Sequence, residues 1–316
     1  MSSPSLRSPD LERFYLSAAP GPIAFVDESM KHPAGTDMGA SSARGSVHQE
    51  RSFYQLAAVI FSHSGLDSIR ERLVDLAGGT YLHTNKKFRG TDADRGDIVE
   101  MVDAVTRASE WNAVAVKLPL AGSSRKDLAQ ARALCLDRLV RNLASGSGDA
   151  AVRGIVADNN RDTDLNELDL QVVTTLRRSG AISRHVGLAH GHMRDEPLLW
   201  AADALSWAVQ RNIARDDARF IAPTLKEGRL TVINAVDGKL LNMKHPLGAS
   251  AFARGPSALG PGLSGSREYD VASLSRIPAR FLVDNGELFA PGQSVSDDLL
   301  RQSRVLREEA RRRIGR

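Results

Sequence analysis

The 316-residue sequence predicts an α/β protein, with a mixed five-stranded sheet covered by helices on both faces. Three observations carry this expectation. Short continuous apolar runs of strand length recur, as in strands buried on both sides. Between them, apolar residues repeat at the three- and four-residue spacing of a helix that covers a core. The two patterns alternate along the chain, which is the order of a layered α/β architecture.

Residues 1–20 hold Pro4, Pro9, Pro20 and several serines and are expected to be a mobile arm with one short helix near 11–16. Residues 23–26 are the first strand, and 29–51 form a polar, glycine-bearing loop. Residues 53–62, rich in aromatic and β-branched side chains, are the second strand. Leu66, Ile69, Leu73 and Leu76 mark a helix that Gly78 and Gly79 end. A short strand at 80–84 and a helix through Ile98, Met101, Val102 and Val105 follow, so 64–110 reads as a helical insertion between the second and third strands. Residues 111–118 alternate like a strand until Pro119. Leu128, Ala131, Cys135, Leu139 and Leu143 give a long helix, and 152–158 a strand. Leu165, Leu168, Val172 and Leu176 give a helix capped by Asp162 or Thr163. The fifth strand is expected at 182–188, and a helix opening at Pro197 runs to about Asn212. Beyond 215 the pattern weakens to a hairpin candidate at Asp237-Gly238, a Gly/Pro-rich linker over 245–266 and a basic helix from 296. The expected organisation is thus an arm (1–20), one α/β domain (21–215) and a C-terminal extension (216–316).

With 42% hydrophobic and 25% charged residues, the composition argues against a wholly disordered chain. No apolar run approaches the roughly 20 residues that span a bilayer, so no membrane association is expected. The polar opening MSSPSLRSPDLERF is not a secretory leader. The single cysteine, Cys135, excludes an internal disulfide and a cysteine zinc cluster and fits a reducing, cytoplasmic setting. Net charge is +4, and residues 271–316 alone carry nine basic and six acidic side chains. Arg304 and Arg311 of that tail are candidate phosphate contacts, because guanidinium forks suit phosphate and a basic tail binds nucleic acid without reading sequence. The equally open reading is a solvated helix with Glu308 and Glu309 as partners.

Three carboxylates stand in unusual places. Asp27 ends the first strand on the face of Ile23 and Phe25, with Glu28 turned to the other side. Asp158 ends the run VRGIVAD in the same way. Asp203 lies inside the apolar helix LLWAADALSWAV, where its neighbours three and four residues away, Leu199, Trp200, Ser206 and Trp207, include no cation. Buried carboxylates are paired or bind metal. Clustered carboxylates hold Mg²⁺ or Mn²⁺ in enzymes that displace phosphoryl groups. The competing readings are a turn or cap role for Asp27 and Asp158 and a bond from Asp203 to a distant arginine.

Asp27-Glu28-Ser29 after a buried strand, with Trp200-Ala201-Ala202-Asp203 on a late helix, resembles the domain of unknown function 3800 family, which is similar to ribonuclease H-like nucleases. That family carries an Asp-Glu pair after the first strand and a Gln-x-x-Asp late. Here the aspartate is kept and the glutamine is Trp200. The resemblance spans about residues 21–213 and implies a ribonuclease H-like sheet and a metal-dependent nuclease of DNA or RNA. Asp27, Asp158 and Asp203 would be the Mg²⁺ or Mn²⁺ ligands and Glu28 a fourth ligand or water-orienting base. Such enzymes commonly place a Glu on the helix after the third strand, whereas the helix here has only Asp127 and Asp137 as carboxylates. The segment YLHTNKKFRG occupies the place of the family's acidic-then-basic segment, making His83, Lys86 and Lys87 candidates for phosphate contact or proton transfer.

Other constellations are weaker. His190-Gly191-His192 lacks a third zinc ligand, although His192 precedes the helix of Asp203 and Asn159 follows Asp158, so both are candidate substrate contacts. Trp200 and Trp207 share a helix face and suit either base stacking or, more commonly, core packing. No phosphate-binding GxxxxGK[ST] loop and no GxSxG elbow occurs. The rival expectation is a noncatalytic nucleic-acid- or protein-binding component of a mobile-element or defence system, with a protein partner or a second copy of itself. A third is a phosphohydrolase of mononucleotides.

Overall fold

The computed structural model describes residues 8–18, 21–32, 52–78, 82–120, 122–145, 151–241 and 243. The chain forms α1 (Pro9–Ser17), β1 (Ile23–Lys31), β2 (Phe53–Phe61), α2 (Leu66–Ala77), α3 (Thr84–Phe88), α4 (Asp92–Ala108) and β3 (Trp111–Lys117). It continues through α5 (Arg125–Ala144), β4 (Gly154–Asp158), α6 (Thr163–Arg178), β5 (Gly187–Gly191), α7 (Leu198–Arg215), α8 (Ala222–Lys226) and β6 (Leu230–Asn234). The strands make one mixed sheet in the order β5-β4-β1-β2-β3-β6. Only β2 runs against its neighbours.

Period-two alternation divides the interior into two cores. Ile23 and Phe25 of β1 enter the core beneath α2, α4 and α7, while Ala24 and Val26 enter the core beneath α5 and α6. β2 is buried along its whole length, which matches its largely apolar sequence; its Gln55 side chain donates to the Ser206 carbonyl. Capping boxes start α4 (Thr91 with Asp94) and α5 (Ser124 with Asp127), each satisfying two otherwise orphaned backbone groups. Asp162 caps α6 by accepting from the Asp164 N–H.

Six expectations are corrected. The first strand does not end at Asp27 but runs on to Lys31, so residues 29–31 belong to it and not to a loop. The sheet has six strands, not five, because residues 230–234 pair in parallel with β3, and the sheet therefore runs past residue 215. The expected hairpin is reduced to one bridge, Ile233 with Leu240. The fifth strand is Gly187–Gly191, not 182–188. Its small residues have a steric reason, since a Cβ at Gly187 would lie 2.8 Å from Phe14 and one at Gly191 2.9 Å from Leu11. The same contacts show that residues 9–17 are no free arm, for Leu11 is fully buried and Tyr15 donates its hydroxyl to Glu196. Finally, Thr84 opens a helix rather than closing a strand. The Gly/Pro-rich linker and basic helix expected after residue 244 lie outside the described residues. Among those described, no helix is long and apolar enough to cross a membrane.

Candidate active site

β1 and β4 are parallel neighbours whose last paired residues are Val26 and Ala157, so Asp27, in the middle of β1, and Asp158, the last residue of β4, follow side by side where that pairing stops. β1 stays paired with β2 as far as Lys31, whereas its pairing with β4 stops here and β4 ends beside β5. The carboxyl end of a parallel strand is where α/β sheets bind ligands. Both aspartates continue the face that α7 covers, and α7 supplies Asp203 from its buried middle.

The three carboxylates act on one another. Burial and then the charges of Asp203, Asp158 and Glu28 push the Asp27 carboxyl well above the ordinary carboxylate range. Asp158 is pushed up to about 6, chiefly by burial, with Glu28 and Asp203 adding to the rise and the Asn159 backbone and His192 opposing it. Among the described residues neither Asp27 nor Asp158 has an ion-pair partner. Asp203 is held differently. Its Oδ2 accepts the backbone N–H of Thr84 at 2.7 Å and lies 3.6 Å from His83 Nδ1. Hydrogen bonding to Asp203 raises the His83 pKa. No arginine binds Asp203 among the described residues. The α3 segment is fixed at its far end by Phe88, which packs 4.9 Å from Trp207 and beneath the Arg211 guanidinium.

Glu28 does not join this cluster as a free fourth carboxylate. Its Oε2 accepts from the Tyr54 hydroxyl and from Arg132 Nη1, and its Oε1 accepts from Asn160 Nδ2 at 3.1 Å. Arg132 in turn forks onto Asp169 through Nε (2.8 Å) and Nη2 (2.7 Å), and His190 Nε2 meets the same Asp169 at 3.1 Å. Burial raises the Asp169 pKa, but His190 and Arg132 outweigh it and the net shift is downward. Sequence reasoning missed Arg132, Tyr54 and Asp169. The available signal was one arginine within the apolar stripe of α5 and one aspartate within that of α6.

A cavity of about 300 Å³ is lined by Asp27, Glu28, Asp158 and residues 159–161, with Val26, Leu56 and Arg132 completing it; Asp203 is not part of its lining. Asn159 Nδ2 meets His192 Nε2 at 3.0 Å, placing both at the site as expected. Lys86 is exposed and close enough to His83 to oppose its protonation, while Lys87 is committed to Asp97 at 2.8 Å. Trp200 is corrected, because it is 1% exposed and its indole N–H donates to the Met193 carbonyl, leaving no ring face for a base. Trp207 is core as well. Arg304 and Arg311 lie outside the described residues.

The donor chemistry fits a hard divalent cation. Asp27, Asp158 and Asp203 offer only oxygens, no ion pair holds Asp27 or Asp158 among the described residues, and the fully buried Thr84 Oγ1 beside Asp203 lacks a hydrogen-bond partner among them. As placed, no three His, Cys, Asp or Glu side chains among the described residues form a closed coordinating group. Comparison of the chain with family models and with curated proteins found no match.

Proposed function

We propose that this chain is a metal-dependent phosphodiesterase of the ribonuclease H-like type, cleaving DNA or RNA. The observation that carries the reading is the convergence of Asp27 of β1, Asp158 at the end of β4 and Asp203 of α7 on a face where no cation pairs with Asp27 or Asp158 among the described residues. In support, β1 to β5 with the helical insertion of α2 to α4 supply the elements that the ribonuclease H-like plan requires. Asp27, Asp158 and Asp203 would hold Mg²⁺ or Mn²⁺. The ion would supply Lewis-acid stabilisation of the phosphoryl oxygens and a lowered pKa for bound water. The chain's own residues do the rest. Thr84 N–H and His83 orient the Asp203 carboxylate. Arg132 and Tyr54 hold Glu28 at the cavity wall. Asn159 lines the cavity and is hydrogen-bonded to His192.

The test is cleavage of labelled single- and double-stranded DNA and RNA with Mg²⁺ or Mn²⁺. Asp27→Asn and Asp203→Asn are expected to lower the rate about a hundredfold or more. Equal rates in wild type and both variants would overturn the assignment. A noncatalytic binding role has one specific support, since α5 presents Arg132 toward Glu28 rather than another carboxylate. Titration calorimetry separates the two, because a lack of heat at millimolar Mn²⁺ favours the binding role.

A further inference from the structure

We infer that the cavity receives the sugar-phosphate backbone of the substrate rather than a base, with Arg161 gripping the phosphate next to the one attacked; this rests on the phosphodiesterase reading. The lining carries the first half of the inference. Carboxylates, two asparagine amides and guanidinium groups surround the space, Val26 and Leu56 are its apolar members, and no aromatic residue lines it among the described residues. A base bound there would forgo the stacking that sustains base recognition in single-stranded complexes. A phosphate and its sugar suit amide and guanidinium donors. At about 300 Å³ the space sits at the lower end of ligand pockets and matches one backbone unit, not a duplex.

The arginines carry the second half. A wall of carboxylates repels a polyanion, so a phosphate entering the cavity needs a cation opposite them. Arg132 is spent, with its fork on Asp169 and its remaining nitrogen on Glu28 and Tyr54. Arg125, at the start of α5, is spent on Asp162 and Asp164. Arg161 lines the cavity, is exposed, and makes no ion pair among the described residues. It stands three residues beyond Asp158 on the loop that leads from β4 into α6.

The experiment uses the full chain in Ca²⁺ and follows fluorescence anisotropy of a labelled oligothymidylate and of an abasic oligodeoxynucleotide of equal length. Wild type is expected to bind both within about a factor of three. Arg161→Ala should weaken both about tenfold, to the same extent, and reduce the slope of log affinity against log salt by about one. Arg161→Lys should restore the salt slope and only part of the affinity, because an ammonium keeps the charge but lacks the fork. An unchanged melting temperature in Arg161→Ala confirms that the fold is intact. Binding of the abasic strand more than tenfold weaker than oligothymidylate, or unaltered affinity in Arg161→Ala, overturns the inference. If metal-dependent cleavage persists in that case, the phosphodiesterase reading survives. If wild type neither binds nor cleaves any nucleic acid, both fall.

Discussion

Asp27 and Glu28 are consecutive residues of one strand, yet their carboxylates face opposite solutions to the same problem. Removing a carboxylate from water is costly unless charge and hydrogen bonds replace the solvent. On the α5 side, Glu28 receives Arg132, Tyr54 and Asn160, and Arg132 is itself neutralised by Asp169. On the α7 side, Asp27 meets the like charges of Asp158 and Asp203, opposed by a hydrogen bond with the Glu28 backbone. The first arrangement is complete within the protein. The second is electrostatically unfinished, which is the pattern that functional sites share.

The sharpest way to break this contrast is to make the finished side unfinished. Arg132→Ala strips a buried cation from Glu28 and Asp169 at once and is expected to destabilise the protein by about 3–5 kcal/mol. Urea unfolding with Glu28→Gln and Asp169→Asn in a double-mutant cycle checks it. Each carboxylate substitution should recover part of the loss in the Arg132→Ala background. Additive effects would mean that the residues do not act as a network.

The two sides also differ in how much the sequence revealed. Asp27 and Asp158 were legible because a strand-length apolar run that ends in a carboxylate is conspicuous at period two. Asp203 was legible because no cation lies one helical turn away. Its true partner was not, since a backbone N–H from Thr84, 119 residues distant, leaves no mark in residue type. Arg132 and Asp169 were overlooked because each is a single charge of its kind among the buried residues of its helix, and their meeting depends on the packing of α5 on α6. β6 escaped because its partner, β3, is remote in sequence and 230–234 also reads as half a local hairpin. β5 was misplaced because the more apolar residues 182–188 outbid a strand whose glycines make room for α1.

A smaller effect of opposite sign tests the unfinished side. Asp27→Asn keeps the shape and removes a charge that burial and three neighbouring carboxylates disfavour. In chelator at neutral pH it is expected to stabilise the fold by about 1–2 kcal/mol, read as a higher urea midpoint. Added Mn²⁺ should then raise the wild-type midpoint more than that of the variant, because a ligand stabilises the state that binds it. Destabilisation by Asp27→Asn in chelator would place Asp27 among the satisfied structural carboxylates.

The mildest case is a carboxylate compensated at the surface, and it calibrates the other two. Asp217 accepts from Arg219 and Arg211, and these hydrogen bonds, led by that of Arg219, lower its pKa to about 2. An unfolded aspartate titrates near 3.9, so the stabilisation is fully present above about pH 4 and is lost as pH falls toward 2. Solvent screening reduces the contribution to about 1 kcal/mol. Asp217→Asn should therefore cost about that much at pH 7 in urea unfolding, and the gap from wild type should narrow steadily between pH 4 and 3. A gap that stays constant through that interval would assign the cost to lost packing around Arg211, which lies 4.2 Å from the Phe88 ring centre, rather than to charge.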